Sequence, residues 1–196
     1  MKVEMPVPCL RMHEDWYPEC DKLLESVIGA AEKEYSICPW MRSRVAAQTG
    51  NVDAFDYRSS VQCSLQDILV SSDPDFAEVR RSVEHFTLRI DELIRDYNES
   101  YETGIKQSEG FHVLRYQNKA EYRNHHDHGV MNQRTLSLVM FLNDDYEGGE
   151  LEFPYFDYKV VPRKGKVVLF PSSFAYSHIA HPVEEGTKYT AINWYK

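Results

Sequence analysis

The sequence has no long hydrophobic run and no excess of basic residues. Among its 196 residues, no apolar stretch approaches the ~18 that a membrane span needs. The first residues, Met1-Lys-Val-Glu-Met-Pro6, lack the basic start and apolar stretch of a signal peptide. We therefore expect a cytoplasmic protein with no membrane partner. The net charge of −9 argues against a nucleic-acid partner, because such proteins usually present a basic face to phosphates.

Cysteine is also scarce. The four cysteines all lie in the first third of the chain, and no two of them have the C-x-x-C spacing: Cys9, Cys20, Cys38 and Cys63. Structural zinc sites usually use such closely spaced pairs. In a protein without secretory features, isolated cysteines stay reduced. We therefore expect four free thiols rather than disulfides or a zinc site.

No internal repeat, low-complexity segment or linker divides the chain. Hydrophobic residues make up 42% and charged residues 27%, which is typical of a globular protein. A chain of this length can bury a sizeable core. We therefore predict a single domain, residues 1–196, with an N-terminal helical support over about 1–110 and a strand-rich core over about 111–196.

Two amphipathic helices are predicted in the first half. Residues 19–35 carry one apolar stripe at helical spacing. The clearer helix begins at Asp73, a good N-cap, followed by Pro74 at the first helical position, and its apolar positions continue to Tyr97. Such a stripe most simply packs on a sheet. Residues 1–12 favour an edge strand. Pro6 and Pro8 have no backbone N–H to donate to a neighbouring strand, which excludes a central position in a sheet.

From residue 111 onward the hydrophobic period changes to two. Short alternating runs are separated by turns rich in Gly, Asn and Asp, and this regular spacing predicts a jelly roll or barrel open at one end. The predicted strands are Phe111–Tyr116, Tyr122–His128, Thr135–Leu142, Glu150–Phe153, Tyr158–Val161, Lys166–Phe170, Ser177–His181 and Lys188–Trp194.

Candidate metal ligands lie in two of these runs. His125 and Asp127 are two residues apart, so in a strand they point to the same side, and a distant histidine such as His178 could complete a set of three. Two histidines and one carboxylate form the ligand set of non-haem Fe(II) oxygenases. Spacing alone leaves the choice open, because His126 or His128 could replace His125 and His181 could replace His178. The pair is also compatible with an ordinary surface patch.

The surrounding motifs resemble those of the prolyl 4-hydroxylase-like Fe(II)/2-oxoglutarate-dependent dioxygenases. The resemblance covers roughly residues 55–196, and its elements occur in the family's order and spacing. They are Tyr57-Arg-Ser-Ser60, Tyr116 with Tyr122 and the pair His125 and Asp127, Arg134 to Asn143, Glu147-Gly-Gly-Glu150 with Phe153, Val161 to Gly165, Val168 to Phe170, His178 to Lys188, and Trp194. This resemblance selects His125 over His126 and His178 over His181.

The resemblance implies an α+β fold, with a double-stranded β-helix (jelly-roll) core buttressed by N-terminal helices. It also implies an oxidoreductase in which His125, Asp127 and His178 bind Fe(II) and serve catalysis. The cosubstrates would be 2-oxoglutarate and O2, with ascorbate as reductant. Lys188 would pair with the distal carboxylate of 2-oxoglutarate and Tyr116 would hydrogen-bond it; Thr190 is assigned to the same face by strand parity.

The expected reaction is 4-hydroxylation of proline in a peptide or protein, with release of succinate and CO2. Arg134, Tyr122, Trp194 and Arg58 match positions that contact such substrates, with Arg58 in a loop that can close over them. The remaining histidines, His126, His128 and His181, are expected to support the ligands or lie on the surface.

Alternatives remain at the substrate end. The same chemistry on a free amino acid, another peptidyl residue or a small metabolite is one alternative; a non-catalytic metal- or ligand-binding jelly roll is another. The family often has threonine directly after Gly-Gly-Glu, where this sequence has Leu151. One hydrogen bond to the cosubstrate is therefore in doubt.

Overall fold

A computed structural model describes residues 3–47, 50–52 and 56–196 of the chain. In these ranges the α-helices are α1 (Cys20–Ala31), α2 (Leu65–Val70) and α3 (Ala77–Tyr101), and 3-10 turns lie at Pro74–Phe76, Pro154–Phe156 and Phe174–Tyr176. The strands are β1 (Val3–Val7), β2 (Leu10–His13), β3 (Met41–Arg42), β4 (Val45–Ala47), β5 (Gly50–Val52), β6 (Val61–Ser64), β7 (His112–Tyr116), β8 (Tyr122–His125), β9 (Leu136–Phe141), β10 (Glu147–Gly148), β11 (Leu151–Phe153), β12 (Tyr158–Val160), β13 (Val167–Pro171), β14 (His178–Ala180), β15 (Val183–Glu185) and β16 (Lys188–Tyr195).

The larger sheet carries the helices on one face. Its strand order is β1-β2-β13-β9-β16-β7-β6-β3, and its neighbouring strands are antiparallel. Alternate residues of this sheet, such as Val113, Met140 and Leu169, belong to one buried cluster with apolar residues of α1 and α3. Phe86, fully buried at the middle of α3, packs edge-on against Phe111 with ring centroids 4.8 Å apart. The predicted stripe of α3 therefore docks on the sheet.

The opposite face of the larger sheet looks toward a smaller sheet. The smaller sheet has the order β12-β11-β14-β8, also antiparallel. The residues of β7, β9 and β13 that alternate with the helix-facing ones, such as Leu114, Phe141 and Phe170, form two further buried clusters with residues of the smaller sheet. Two facing antiparallel sheets with helices outside are the predicted jelly roll, and the candidate site lies between them.

Several predicted element ends differ from the observed ones. Helix α1 ends at Ala31 rather than at residue 35, because Tyr35, the next large apolar residue, is 84% exposed and has no core to join. Asp73 accepts a hydrogen bond from the Asp75 backbone N–H at 2.9 Å, as an N-cap does, but it caps a 3-10 turn that leads into α3. Strand β8 ends at His125, so the predicted strand extended three residues too far.

The N-terminal edge strand is observed as β1, which contains Pro6 and lies at one edge of the larger sheet. Residues 1–2 of that prediction are outside the described part. Strand β2, which the sequence pattern did not separate from β1, pairs with β13 and so extends the main sheet. Among the described residues, the cysteines are free thiols and no helix is both long and apolar enough to cross a membrane.

Candidate metal and cosubstrate site

Two neighbouring strands of the smaller sheet bring the candidate histidines together. His125 ends β8, His178 begins β14, and the two residues are direct partners across the antiparallel pair. Their ring centroids are 4.1 Å apart. The register therefore places two residues that are 53 positions apart in the sequence side by side, at the inner face of the smaller sheet.

Hydrogen bonds determine which nitrogen of each ring is free. His125 Nδ1 lies 2.8 Å from the Arg123 carbonyl oxygen, and His178 Nδ1 lies 3.0 Å from the Tyr176 carbonyl oxygen. A carbonyl only accepts, so each Nδ1 carries the proton and donates it. In the neutral form of each ring, Nε2 then has the lone pair with which imidazole binds a metal.

Both free nitrogens point at Asp127. His125 Nε2 is 3.8 Å from Asp127 Oδ1, and His178 Nε2 is 3.7 Å from Asp127 Oδ2. One ligand atom from each of the three residues lies within 4.8 Å of the others, so a metal ion could be held by all three. Because two imidazoles and one carboxylate are the donors of a non-haem Fe(II) site, the residues present fit that metal.

Burial and neighbouring groups favour the metal-binding forms of His125 and Asp127. Burial lowers the pKa of His125 well below its ordinary value, and the adjacent His178 acts in the same direction. For Asp127, burial opposes the charge, but His178, His125 and a hydrogen bond from Ser137 together lower the pKa of its carboxyl. His125 is therefore a neutral imidazole and Asp127 an ionised carboxylate at neutral pH.

The other histidines of the two segments are placed elsewhere. His126 is exposed. His128 Nδ1 lies 2.7 Å from the Arg134 carbonyl oxygen, and His181 Nε2 lies 2.5 Å from Glu152 Oε2. The geometry thus brings together His125 and His178, the pair that the family resemblance selects.

A cavity between the two sheets leads from the three ligands to Lys188. Its lining includes the predicted cosubstrate residues Tyr116, Lys188 and Thr190. The wall is otherwise largely apolar, with Leu114, Val139, Leu151, Ala180 and Ile192 among its residues. Such a wall keeps water away from a bound ligand and strengthens electrostatic contacts inside the cavity.

Lys188 is a buried amine with little to neutralise it. The residue is 2% exposed, and its Nζ donates to the Gly149 carbonyl oxygen at 2.6 Å. It also lies over the rings of Tyr116 and Phe141, 5.0 and 5.5 Å from their centroids. Burial lowers the pKa of Lys188 to about 7, and Glu150 only partly opposes this. An anion entering the cavity would supply the missing partner.

The glycine pair before Glu150 makes room for this lysine. Gly149 has a φ of +69°, and a Cβ there would come within 3.0 Å of Lys188 Cδ. A Cβ at Gly148, where φ is +75°, would lie 2.5 Å from the Pro182 carbonyl oxygen. Both positions require glycine. Leu151, which follows, is 3% exposed and presents an apolar side chain to the cavity.

Three of the four predicted substrate residues line the cavity: Arg58, Tyr122 and Trp194. The Tyr122 ring stacks on His125 with centroids 3.4 Å apart, and the Arg58 guanidinium lies 4.7 Å from the Tyr122 centroid. Arg58 is 6% exposed and donates to the Arg44 carbonyl oxygen at 2.8 Å. Arg58 therefore forms part of the cavity wall, next to the Tyr122 ring.

The fourth, Arg134, lies behind the wall. Its guanidinium is 3.6 Å from the Trp194 ring centroid, and its Nε and Nη2 donate to Glu109 Oε2 at 2.9 and 2.7 Å. Lys196 reaches the other oxygen of Glu109 at 3.0 Å. Arg134 therefore holds Trp194 in place, and its charge is largely neutralised by Glu109, a residue that the sequence patterns did not single out.

The sequence patterns also gave no role to Ser137 and Ser172, which contact Asp127 and each other. Ser137 belongs to the Arg134 to Asn143 motif, so its place in a recognised segment was the available signal. Ser172 follows β13 and lies outside every motif that the sequence indicated. Both side chains are 1% exposed.

The fold and this site define a jelly-roll protein of the type that holds a ferrous ion with two histidines and one carboxylate. Comparison with known proteins agrees. Residues 111–196 match the model of the 2OG-Fe(II) oxygenase superfamily. This match covers the strand-rich part of the chain, and it agrees with the class that the sequence motifs indicated, a 2-oxoglutarate-dependent dioxygenase.

Two curated plant proteins are similar in sequence. "Probable prolyl 4-hydroxylase 9" from Arabidopsis thaliana is 34% identical, over 44% of this chain and 40% of the relative. "Prolyl 4-hydroxylase 13" from the same plant is 31% identical, over 44% of this chain and 42% of the relative. The chain thus spans about two fifths of the length of the curated relatives that it matches.

Solved structures share the fold. A prolyl hydroxylase from Trichoplax adhaerens, in complex with a peptide fragment of the hypoxia inducible factor oxygen degradation domain, has a TM-score of 0.73 at 16% identity, covering 95% of this chain and 82% of that one. A Pseudomonas putida prolyl-4-hydroxylase has a TM-score of 0.69 at 21% identity, with coverages of 95% and 92%. A viral collagen prolyl hydroxylase from Paramecium Bursaria Chlorella virus-1 has a TM-score of 0.62 at 21% identity, with coverages of 95% and 94%. At these low identities, the likeness shows a shared fold.

Proposed function

We propose that the chain is an Fe(II)- and 2-oxoglutarate-dependent dioxygenase that hydroxylates proline at the 4-position in a peptide or protein, with release of succinate and CO2. We also propose that residues 1–196 act as one domain, with the first 110 or so supporting the core. The observation that carries the activity is the convergence of three ligand atoms at one end of a cavity whose other end holds a buried lysine.

The protein's own contributions can be assigned to residues. His125, Asp127 and His178 would hold Fe(II), which supplies the activation of O2 coupled to decarboxylation of 2-oxoglutarate. Lys188 would pair with the distal carboxylate of 2-oxoglutarate, with Tyr116 and Thr190 beside it. The apolar wall would exclude water. Ascorbate would keep the metal reduced.

At the substrate end, Tyr122, Trp194 and Arg58 would form the surface that receives the proline, and Arg134 would support it through Trp194. Two aromatic rings suit a proline ring, which is apolar and rigid. The Arg58 guanidinium could donate to a carbonyl oxygen of the substrate backbone. A structural neighbour solved with a peptide, the Trichoplax adhaerens prolyl hydroxylase, supports a peptide substrate over a free amino acid.

The proposal is tested by incubating the purified protein with Fe(II), 2-oxoglutarate, ascorbate and proline-containing peptides. Mass spectrometry should show the mass gain of one oxygen atom on proline, with succinate formed in equal amount. Matched peptides with proline replaced by alanine should gain nothing. Hydroxylation of free proline or of another residue would contradict the proposed substrate. A protein that binds metal but forms no succinate with any of these would contradict the enzyme proposal.

The affinity for 2-oxoglutarate should fall as the pH rises above about 7. Burial lowers the pKa of Lys188 to about 7, so above that pH the free site holds a neutral amine and must take up a proton to pair with the carboxylate. The other groups near the amine are Glu150, which favours its charge, and the neutral phenols Tyr116 and Tyr146, whose pKa values are raised by burial. The apparent Kd should therefore rise toward about tenfold per pH unit.

Calorimetry of 2-oxoglutarate binding in the presence of Mn(II), from about pH 6 to pH 9, measures this dependence. Buffers of different ionisation enthalpy should reveal proton uptake above neutral pH and little uptake below it. An affinity that is constant across this range would show that Lys188 stays charged in the free protein or that it does not contact the ligand.

A further inference from the structure

Asp127 is not held by a strand. Strand β8 ends at His125, so alternation along the strand does not fix the direction of the Asp127 side chain. Its backbone N–H donates to the Ser172 carbonyl oxygen at 3.2 Å, and the next N–H, of His128, donates to the same oxygen at 2.8 Å. The segment that carries the carboxylate is thus attached to the residue that follows β13.

The carboxylate itself is held from the larger sheet. Ser137, on β9, donates its hydroxyl to Asp127 Oδ2 at 2.7 Å. The Ser137 and Ser172 hydroxyl oxygens are 2.8 Å apart. A serine hydroxyl has one proton, and an ionised carboxylate can only accept. The proton of Ser137 is therefore committed to Asp127, and Ser172 must donate to Ser137.

We propose that Ser137 and Ser172 form a positioning pair that orients the Asp127 carboxylate toward the two histidines. The hydrogen bond to Oδ2 restricts rotation of the carboxylate about the Cβ–Cγ bond. It thereby holds Oδ1 and Oδ2 toward His125 Nε2 and His178 Nε2, at 3.8 and 3.7 Å. The Ser172 donation strengthens the Ser137 bond, because hydrogen bonds in a chain polarise one another. This inference rests on the proposed metal site.

A purely structural role would have different consequences. Buried hydroxyls are normally hydrogen-bonded, and their loss lowers stability wherever they lie. A positioning role predicts in addition that the affinity for the metal itself falls, because partners that orient a metal ligand contribute to metal binding. Metal affinity, measured without 2-oxoglutarate and without turnover, therefore separates the two roles.

The test is calorimetric titration of the metal-free protein with Co(II) alone. Ser137→Ala should weaken Co(II) binding by about 10- to 100-fold, as loss of a partner behind a metal ligand typically does. Ser137→Thr keeps a hydroxyl and should restore most of the affinity. Ser172→Ala should lose less, about two- to fivefold, since it acts through Ser137. The double alanine variant should bind no more weakly than Ser137→Ala, because Ser172 has no effect once Ser137 is gone.

Ser26→Ala, which removes an exposed hydroxyl that donates to the Lys22 carbonyl oxygen of α1, serves as the control and should bind Co(II) as the unchanged protein does. If Ser137→Ala binds Co(II) normally while its thermal stability falls, the pair is structural and the inference is wrong. If the unchanged protein does not bind Co(II), the proposed metal site fails and this inference fails with it. Normal metal binding by Ser137→Ala in a protein that turns over 2-oxoglutarate overturns only the positioning role.

Discussion

Replacement of His178 by alanine is expected to abolish the turnover of 2-oxoglutarate and to weaken divalent metal binding. His178 Nδ1 donates to the Tyr176 carbonyl oxygen, so Nε2 is the ring nitrogen that faces Asp127, and the ring lies beside that of His125. Loss of a partner behind a ligand already costs 10- to 100-fold in metal affinity or activity, so loss of a ligand should cost at least about 100-fold. His125→Ala should behave in the same way. Succinate formation and Co(II) titration measure the two effects.

The neighbouring histidines provide matched controls. His126 is exposed, and His181 contacts Glu152 rather than Asp127. His126→Ala and His181→Ala should therefore keep most of the turnover and the metal affinity. If His181→Ala is inactive while His178→Ala retains activity, His181 rather than His178 is the ligand, and the site must be reassigned.

Short apolar runs between turns predicted the strands of the core because each strand there has at least one face toward an apolar layer. In β9, Leu138 and Met140 face the helices while Val139 and Phe141 face the smaller sheet, so hydrophobic residues occur on both sides and the run is continuous. The turns between strands carry glycine where φ is positive, as at Gly149 and Gly165. These are local signals, and they are readable without knowing which strands pair.

Strand alternation could not place Asp127. It assumed a continuous strand from residue 122 to 128, with His125 and Asp127 on the same side. The strand ends at His125, and Asp127 reaches the site because Ser137, on β9, and Ser172, just after β13, hold it by hydrogen bonds. The structure places Asp127 beside His125 and His178, and the physical reason for that position lies in contacts that periodicity does not contain.

Long-range pairing also explains the other omissions. Strand β2 joins the larger sheet through β13, which lies more than 150 residues later, and a short run containing Arg11 and His13 has no local sign of this partner. Glu109 contacts the site only because Arg134, just before β9, and Lys196, just after β16, come to its side chain. Single-sequence patterns identify which residues could act; the pairing of strands decides which of them meet.

Replacement of Lys188 by methionine should chiefly weaken 2-oxoglutarate binding. The amine is 2% exposed and lies among Tyr116, Phe141 and the Gly149 carbonyl, so methionine can fill the same space without the charge. A dicarboxylate would then bury its distal carboxylate without a partner. Truncating one member of a buried charged pair costs about 2–5 kcal/mol, which corresponds to a roughly 30- to several-thousand-fold higher Kd. Calorimetric titration with 2-oxoglutarate in the presence of Mn(II) measures it.

The same substitution should leave Mn(II) binding nearly unchanged, because the three ligands lie at the other end of the cavity. That separation distinguishes a cosubstrate residue from one that supports the fold, whose loss would lower both affinities and the thermal stability together. Lys159→Met, at an exposed lysine that pairs with Glu152, is the matched control and should bind 2-oxoglutarate normally. Leu151 presents an apolar side chain to the cavity where the family often has threonine. The distal carboxylate of 2-oxoglutarate should therefore depend more heavily on Lys188. An unchanged Kd for 2-oxoglutarate in Lys188→Met would place the cosubstrate elsewhere.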